Sequence, residues 1–178
     1  MTSFYSEEEL KSIGFKSFGK NVLISRKTSI YSPEKISIGN NVRIDDYCII
    51  SGDITIGNYI HIAAYCALFG SMGIEMKDYS GLSMRCTILS ATDDYGGNYL
   101  IGPMMEEGTT NVTGGRVVIE KYATCGAHSL VMPNITIGEG AVTGAMSMVN
   151  KTLLPWGIYL GIPAKRIKDR EKGLLKFV

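Results

Sequence analysis

Residues 38–74 read IGNNVRIDDYCIISGDITIGNYIHIAAYCALFGSMGI, and in them an aliphatic side chain returns at every sixth position: Ile38, Ile44, Ile50, Ile56, Ile62, Leu68 and Ile74. Ser80 and Cys86 keep the phase beyond this stretch. A second ladder runs through Ile119, Cys125, Val131, Ile137, Thr143 and Val149, and a shorter one, Phe18, Ile24 and Ile30, lies upstream. The two-residue slip between Ile30 and Ile38 falls at Ser32-Pro33-Glu34, which is turn chemistry. A period of six fits neither a helix at 3.6 nor a single strand at 2. A triangular solenoid explains it, because one inward aliphatic per short strand and corner makes three sides of a coil of about 18 residues. The fold class expected is an all-β solenoid, a parallel β-helix.

The corners of such a coil call for small or left-handed-permissive residues. Gly39, Gly57, Gly81, Gly126, Gly138 and Gly144 each follow a ladder position and are read as those corners, with Asn40 and Asn58 beside two of them. The fourth position after a ladder residue is often small: Cys48, Cys66, Ala123, Ser129, Ala141, Ser147. All four cysteines thus take interior positions, Cys86 and Cys125 in the ladder, Cys48 and Cys66 at the small site. Reduced structural thiols are expected. Neither CxxC pairing nor a His-rich neighbourhood suggests zinc.

The 178 residues, 45% hydrophobic and 20% charged, suit one soluble domain spanning 1–178. Ser6-Glu7-Glu8-Glu9 has capping-box spacing and predicts a helix over Glu7–Ile13 closed by Gly14, a cap within residues 1–17. The solenoid is placed at 18–154, interrupted by a Gly-, Asn-, Thr- and acid-rich excursion loop at about 92–117. The extension 155–178 opens at Pro155-Trp156, where the chain turns off the solenoid, and includes a basic segment, Lys165 to Leu175, expected to be helical. A net charge of +1 offers no general attraction to nucleic acid or an anionic membrane. The acidic start, MTSFYSEEELKSIG, is unlike a secretory leader, and no apolar run reaches spanning length, so a cytoplasmic protein without membrane insertion is expected.

The repeat, over roughly residues 18–150, resembles the bacterial hexapeptide-repeat transferases, which implies a left-handed β-helix. The run ITIGEGAVTGAMSMVNKTLLPWGIYLGIPAKRI resembles the carboxyl-terminal signature of sugar O- and N-acetyltransferases, with Gly161, Pro163, Ala164 and Lys165 at the matching positions. That resemblance implies an acyltransferase using acetyl-CoA or another acyl-CoA, working as a homotrimer with its sites between subunits. It also implies that the backbone around Gly126, Gly144, Ala145 and Gly161 lines the pantetheine, with Lys151, Lys165 and Arg166 near the phosphates. The same glycines and cations are equally read as coil corners and a solvated face.

Acyl transfer needs a neutral nucleophile, a path for its proton and donors to the oxyanion. Galactoside and maltose O-acetyltransferases carry a catalytic histidine in the excursion region, whereas this loop holds Thr92-Asp93-Asp94-Tyr95 and no histidine. The chain is therefore more similar to N-acyltransferases of nucleotide-linked 4-amino-4,6-dideoxyglucose that serve surface polysaccharides. In that reading Asp94, before Asp93, orients the substrate amine, or else caps its own Asp-Tyr-Gly-Gly turn. Ser83 and Arg85 could meet a sugar hydroxyl or pyrophosphate, and Glu106 or Glu107 the amine. Tyr65, Phe69 and Tyr95 could stack on a base or pack between coils. The rival, an O-acetyltransferase, would use His128 or His61 as base. A γ-type carbonic anhydrase on the same solenoid needs three histidines for zinc, and the chain has two; no metal is expected.

Overall fold

Most hexapeptides fold as a two- or three-residue strand and a corner, the longer strands Ile49–Ile56 and Ala67–Met76 each running on through one corner, and equivalent strands of successive turns pair in parallel. The computed structural model describes residues 3–178. Ile36–Ile38 lies on Ile54–Ile56, Val42–Ile44 on Ile60–Ile62, and Ile49 on Ala67, each 18 residues on. The result is a left-handed parallel β-helix with three inward columns: Ile38, Ile56, Met76, Ile119 and Ile137 on one side, Ile44, Ile62, Leu82 and Cys125 on the second, Ile50, Leu68, Ile88, Val131 and Val149 on the third. All are buried. Each isoleucine or leucine so enclosed contributes about 1.5–3 kcal/mol.

The phase beyond Leu68 differs from the ladder read in the sequence. Ile54 pairs with Ile74 and Ile56 with Met76, a step of 20 residues, because Gly70-Ser71-Met72-Gly73 adds two residues at a corner where Gly73 has φ +97°. The ladder continues through Met76, Leu82 and Ile88. Ser80 and Cys86 fall at the small positions. Cys48, Cys66 and Cys86 therefore form one column with Ser129, and their Sγ or Oγ atoms donate to carbonyls of the following coil: Ala63 at 3.2 Å, Ser83 at 3.1 Å, Gly126 at 3.1 Å and Gly144 at 3.3 Å. All four cysteines are free and buried.

The glycines act differently from the corner role expected of them. None of Gly39, Gly57, Gly81, Gly126, Gly138 or Gly144 has a positive φ. A Cβ on Gly39 would lie 2.5 Å from the Gly57 carbonyl oxygen, and one on Gly138 2.6 Å from that of Leu153, so coil-to-coil approach demands these two, whereas one on Gly81 would be in ordinary contact, 3.4 Å from the His61 carbonyl oxygen. The left-handed residues sit three positions after the inward column residues, and beside Asn21, Asn41 and Gly140 they are large: Tyr59, Tyr79, Tyr122 and Trp156 on one edge, Tyr47, Tyr65, Arg85, His128 and Met146 on the next. Each such conformation costs about 1–2 kcal/mol. Stacking offsets part of that cost, with ring centroids 4.8 Å apart for Tyr59–Tyr79 and 5.5 Å for Tyr79–Tyr122.

The N-terminal helix is Glu7–Ile13, with a complete Ser6/Glu9 capping box and Gly14 left-handed at its end. Leu10 is buried against the first coil. The excursion leaves after Ser90 as an antiparallel pair, Ala91–Asp93 with Val112–Gly114, and rejoins at Val117, which is fully buried. Parallel stacking continues through Gly157–Leu160. No C-terminal helix forms over Lys165–Leu175. Lys165–Asp169 is a strand antiparallel to Gly157–Leu160, followed by a short 3-10 turn, Gly173–Phe177. The last coil presents an open edge of amides and carbonyls, and pairing it outweighs helix propensity in the basic tail. Arg170 fastens the tail by donating to the carbonyls of Tyr122 at 2.9 Å and Gly140 at 3.0 Å.

Candidate active site

The second side of the coil carries most of the residues selected from the sequence. Its outward positions stack as Arg43, His61, Gly81, Thr124 and Val142. The positions after the ladder stack as Asp45, Ala63, Ser83, Gly126 and Gly144, each amide donating to the coil above. Ser83 is thus in the same column as two of the glycines expected to line pantetheine. A Cβ on Gly126 would lie 2.6 Å from the Thr143 carbonyl and one on Gly144 2.5 Å from Leu160 Cδ2. Backbone atoms fix Gly126, whereas Gly144 meets only the exposed Leu160 side chain, and neither glycine places a side chain of its own on this strip of the second side.

Ala145 and Gly161 continue that strip, and Lys165 and Arg166 return beside it, paired with Leu160 and Tyr159. Arg166 is braced by Asp169 at 2.8 Å and by the Tyr159 hydroxyl at 3.1 Å, the contacts that raise its pKa, Asp169 first. Lys165 is exposed. Lys151 stands apart, exposed beyond Val149 at the next corner.

At the edge bordering Ser83, Arg85 lies over the Tyr65 ring at 4.9 Å, and Tyr65 stacks on Tyr47 at 5.0 Å. Tyr65 therefore packs between coils. His128 follows Arg85 in the same corner column, exposed at φ +59°. His61 lies one coil before Ser83, with Nε2 2.7 Å from Asp45 Oδ2, and Arg43 Nε donates to Asp45 Oδ1 at 2.7 Å. Burial pushes the Asp45 carboxyl upward, but the bonds to His61 and Arg43 outweigh it and hold the pKa below its usual value. The sequence offered no signal for this pairing, since the partners are 16 residues apart and meet only when coils stack.

The loop residues sit elsewhere. Asp93 ends the hairpin strand, and Asp94 follows it. Asp94 Oδ1 accepts from the Gly96 amide at 2.7 Å, the turn-capping alternative. Tyr95 is 75% exposed, and Glu106 and Glu107 are exposed at the loop tip. Within one chain the third side, Thr87–Leu89, separates Ser83 and Arg85 from Asp93. Phe69, 42% exposed, belongs to that third side as well. Among the described residues no group of three His, Cys, Asp or Glu side chains converges as a metal site, and no helix is long and apolar enough to cross a membrane.

Residues 35–70 match the family model for the bacterial transferase hexapeptide (six repeats). A dTDP-4-amino-4,6-dideoxy-D-glucose acyltransferase of Escherichia coli is 43% identical over 177 residues, 98% of this chain and 92% of that protein. A crystal structure of a serine variant of AntD, an N-acyltransferase from Bacillus cereus, in complex with dTDP-4-amino-4,6-dideoxyglucose and coenzyme A, has a TM-score of 0.97. Its identity is 54%, over 99% of this chain and 95% of that one. AntD has also been crystallised with dTDP and 3-hydroxybutyryl-CoA, again at TM-score 0.97 and 54% identity. Its variants concern a serine at position 84 and an aspartate at position 94 of that protein, ten apart. With near-complete coverage at these identities, the chain belongs to the hexapeptide-repeat acyltransferases, in the CoA-dependent N-acyltransferase group of AntD and the Escherichia coli enzyme.

Proposed function

We propose that this protein transfers a short acyl group from acyl-CoA to the 4-amino group of dTDP-4-amino-4,6-dideoxyglucose, acting as a cytoplasmic homotrimer in which the whole chain is one domain. The observation that carries the reading is the pair Ser83 and Asp93. They are ten residues apart, the same spacing as the serine and aspartate varied in AntD. The Asp93 carboxylate has no bonding partner among the described residues, whereas that of Asp94 is committed to Gly96. Asp93 is therefore the better base, and Asp94 supports the turn that presents it.

The acceptor amine is an ammonium ion in neutral water and must lose a proton before it can attack. A half-buried carboxylate beside it accepts that proton. Attack on the thioester carbonyl builds negative charge on oxygen, and the Ser83 hydroxyl donates to it. The C–S bond then breaks, the new amide sheds its second proton, and the thiolate takes one up. Coenzyme A runs along Gly126, Gly144, Ala145 and Gly161, with Lys165 and Arg166 as phosphate partners; Lys151, standing apart, serves only if a neighbouring subunit meets it. Arg85 or His128 at the adjoining edge meets the pyrophosphate, while Tyr95, Glu106 and Glu107 of the loop cover the sugar. Because Thr87–Leu89 separates Ser83 from Asp93 in one chain, threefold packing that lays the loop of one subunit on the edge of the next completes the site.

The test is thiol release from acetyl-CoA and 3-hydroxybutyryl-CoA in the presence of the aminosugar nucleotide, with mass spectrometry of the product. Release that requires the amine and gives an N-acyl product is expected. Acylation of a plain glycoside hydroxyl with the aminosugar inert overturns the reading, and sedimentation as a monomer overturns the trimer.

A further inference from the structure

A shallow groove of about 430 Å³ lies on the second side of the coil, between His61 and Ser83, with Ala63, Leu82, Met84 and Ala127 among its lining. The site described above uses only its Ser83 end. The other end is the His61–Asp45–Arg43 chain, in which both carboxylate oxygens of Asp45 are bonded at 2.7 Å. An ionised Asp45 can only accept, so the hydrogen of a neutral His61 ring resides on Nε2 and Nδ1 is left as an acceptor. Among the described residues nothing donates to Nδ1. The groove thus has an apolar floor and, one coil from Ser83, a single oriented acceptor.

Axial order gives this geometry a direction. The strip assigned to coenzyme A, Gly161, Gly144 and Gly126, approaches Ser83 from the carboxyl-terminal coils, and His61 lies on the opposite side of Ser83. A thioester carbonyl held at Ser83 therefore points its acyl chain toward His61. Adjacent coils are spaced by about 4.8 Å, close to the length of a four-carbon chain. Apolar carbons would lie over Ala63, and a hydroxyl on the third carbon would meet Nδ1.

We propose that the groove between His61 and Ser83 holds the acyl chain of the thioester and that His61, fixed by Asp45, selects chains bearing a 3-hydroxyl group. The proposal rests on the acyl-CoA reading above and adds the class of acyl donor. His61 touches the donor; Asp45 is a positioning residue.

The experiment compares kcat/KM for butyryl-CoA and 3-hydroxybutyryl-CoA with one aminosugar acceptor. The unmodified enzyme is expected to favour the hydroxylated thioester by about tenfold, the worth of one neutral hydrogen bond in a partly dry site. His61→Phe keeps a planar ring and removes the acceptor, and should bring the ratio close to one. Asp45→Asn, which frees the ring without shortening a side chain, should lower the ratio severalfold. His61→Gln, restoring an acceptor, should recover part of it, a pattern that a purely structural histidine would not give. An unmodified enzyme that uses both thioesters equally, or a ratio unmoved in His61→Phe while the acceptor KM rises, overturns the assignment. Failure of the unmodified enzyme with every thioester would instead sink the proposed reaction itself.

Discussion

Asp94 Oδ1 accepts a 2.7 Å hydrogen bond from the Gly96 amide, and this turn fixes the direction in which the neighbouring Asp93 leaves its strand. Two adjacent carboxylates thereby differ, one closing the turn and the other without a bonding partner among the described residues, and the second is the proton acceptor of the reaction proposed above. Asp93→Asn is expected to lower kcat by about 10²–10⁴, the usual worth of a general base, with little change in CoA affinity. Asp94→Asn keeps a side-chain oxygen that can accept from Gly96, so its kcat should remain within a fewfold of the unmodified value. Steady-state kinetics with calorimetric CoA binding checks both; the reverse ranking would return the base to Asp94.

Gly39 reports on coil stacking far from the loop. A Cβ there meets the Gly57 carbonyl at 2.5 Å and the Asn58 side chain at 2.8 Å, and a backbone oxygen directly after a strand paired with the preceding coil has little room to yield. Gly39→Ala is expected to destabilise by about 1–3 kcal/mol, the usual cost of forcing atoms into a filled space. Because the strain is steric, Gly39→Ser should be at least as harmful. Thermal melts of both variants decide it, and an unchanged melting temperature would show that the coils can separate locally.

The solenoid was legible because its period is unlike that of any other regular structure, and the capped helix because Ser6 and Glu9 announce it. The slip at Gly70-Ser71-Met72-Gly73 escaped for a specific reason. Each strand on that side has two inward aliphatics, Ile54 and Ile56 against Ile74 and Met76, so a two-residue shift still places isoleucine in phase. Most left-handed corners escaped because tyrosine and arginine carry no such propensity, and stacking that appears only after coiling sustains the tyrosines. The tail was misread as a helix because its partner, the open edge at Gly157–Leu160, exists only in the folded chain. For the same reason the His61–Asp45 pairing was not visible, whereas the capping of the Asp-Tyr-Gly-Gly turn by Asp94 was, because both partners lie within three consecutive residues.

The four buried cysteines should be inert. Contact with the Cys66 thiol, then burial, pushes the Cys48 pKa up, and burial pushes that of Cys125 to about 12. Thiolate is the reacting species, so enclosed thiols with raised pKa react slowly. In the native protein at pH 8, a disulfide reagent such as dithionitrobenzoate should label none of the four within minutes, and all four after denaturation. Rapid labelling of one native thiol would reveal local opening of the coil that carries it.

The N-terminal cap is held by an acid-sensitive contact. Arg26 Nη2 lies 2.6 Å from Glu9 Oε2, and this guanidinium, with the Ser6 amide, holds the Glu9 carboxyl at about 2 rather than its ordinary 4.5. A depressed native pKa means that the unfolded chain binds the proton more readily in this window, so stability should fall as acid is added. The contribution is fully present above about pH 4.5 and fades as pH drops through about 2. Glu9→Gln retains a capping oxygen but not the charge. Melting curves from pH 5 down to pH 2 should therefore fall less steeply for the variant than for the unmodified protein. Parallel slopes would mean that the cap does not respond to this carboxyl.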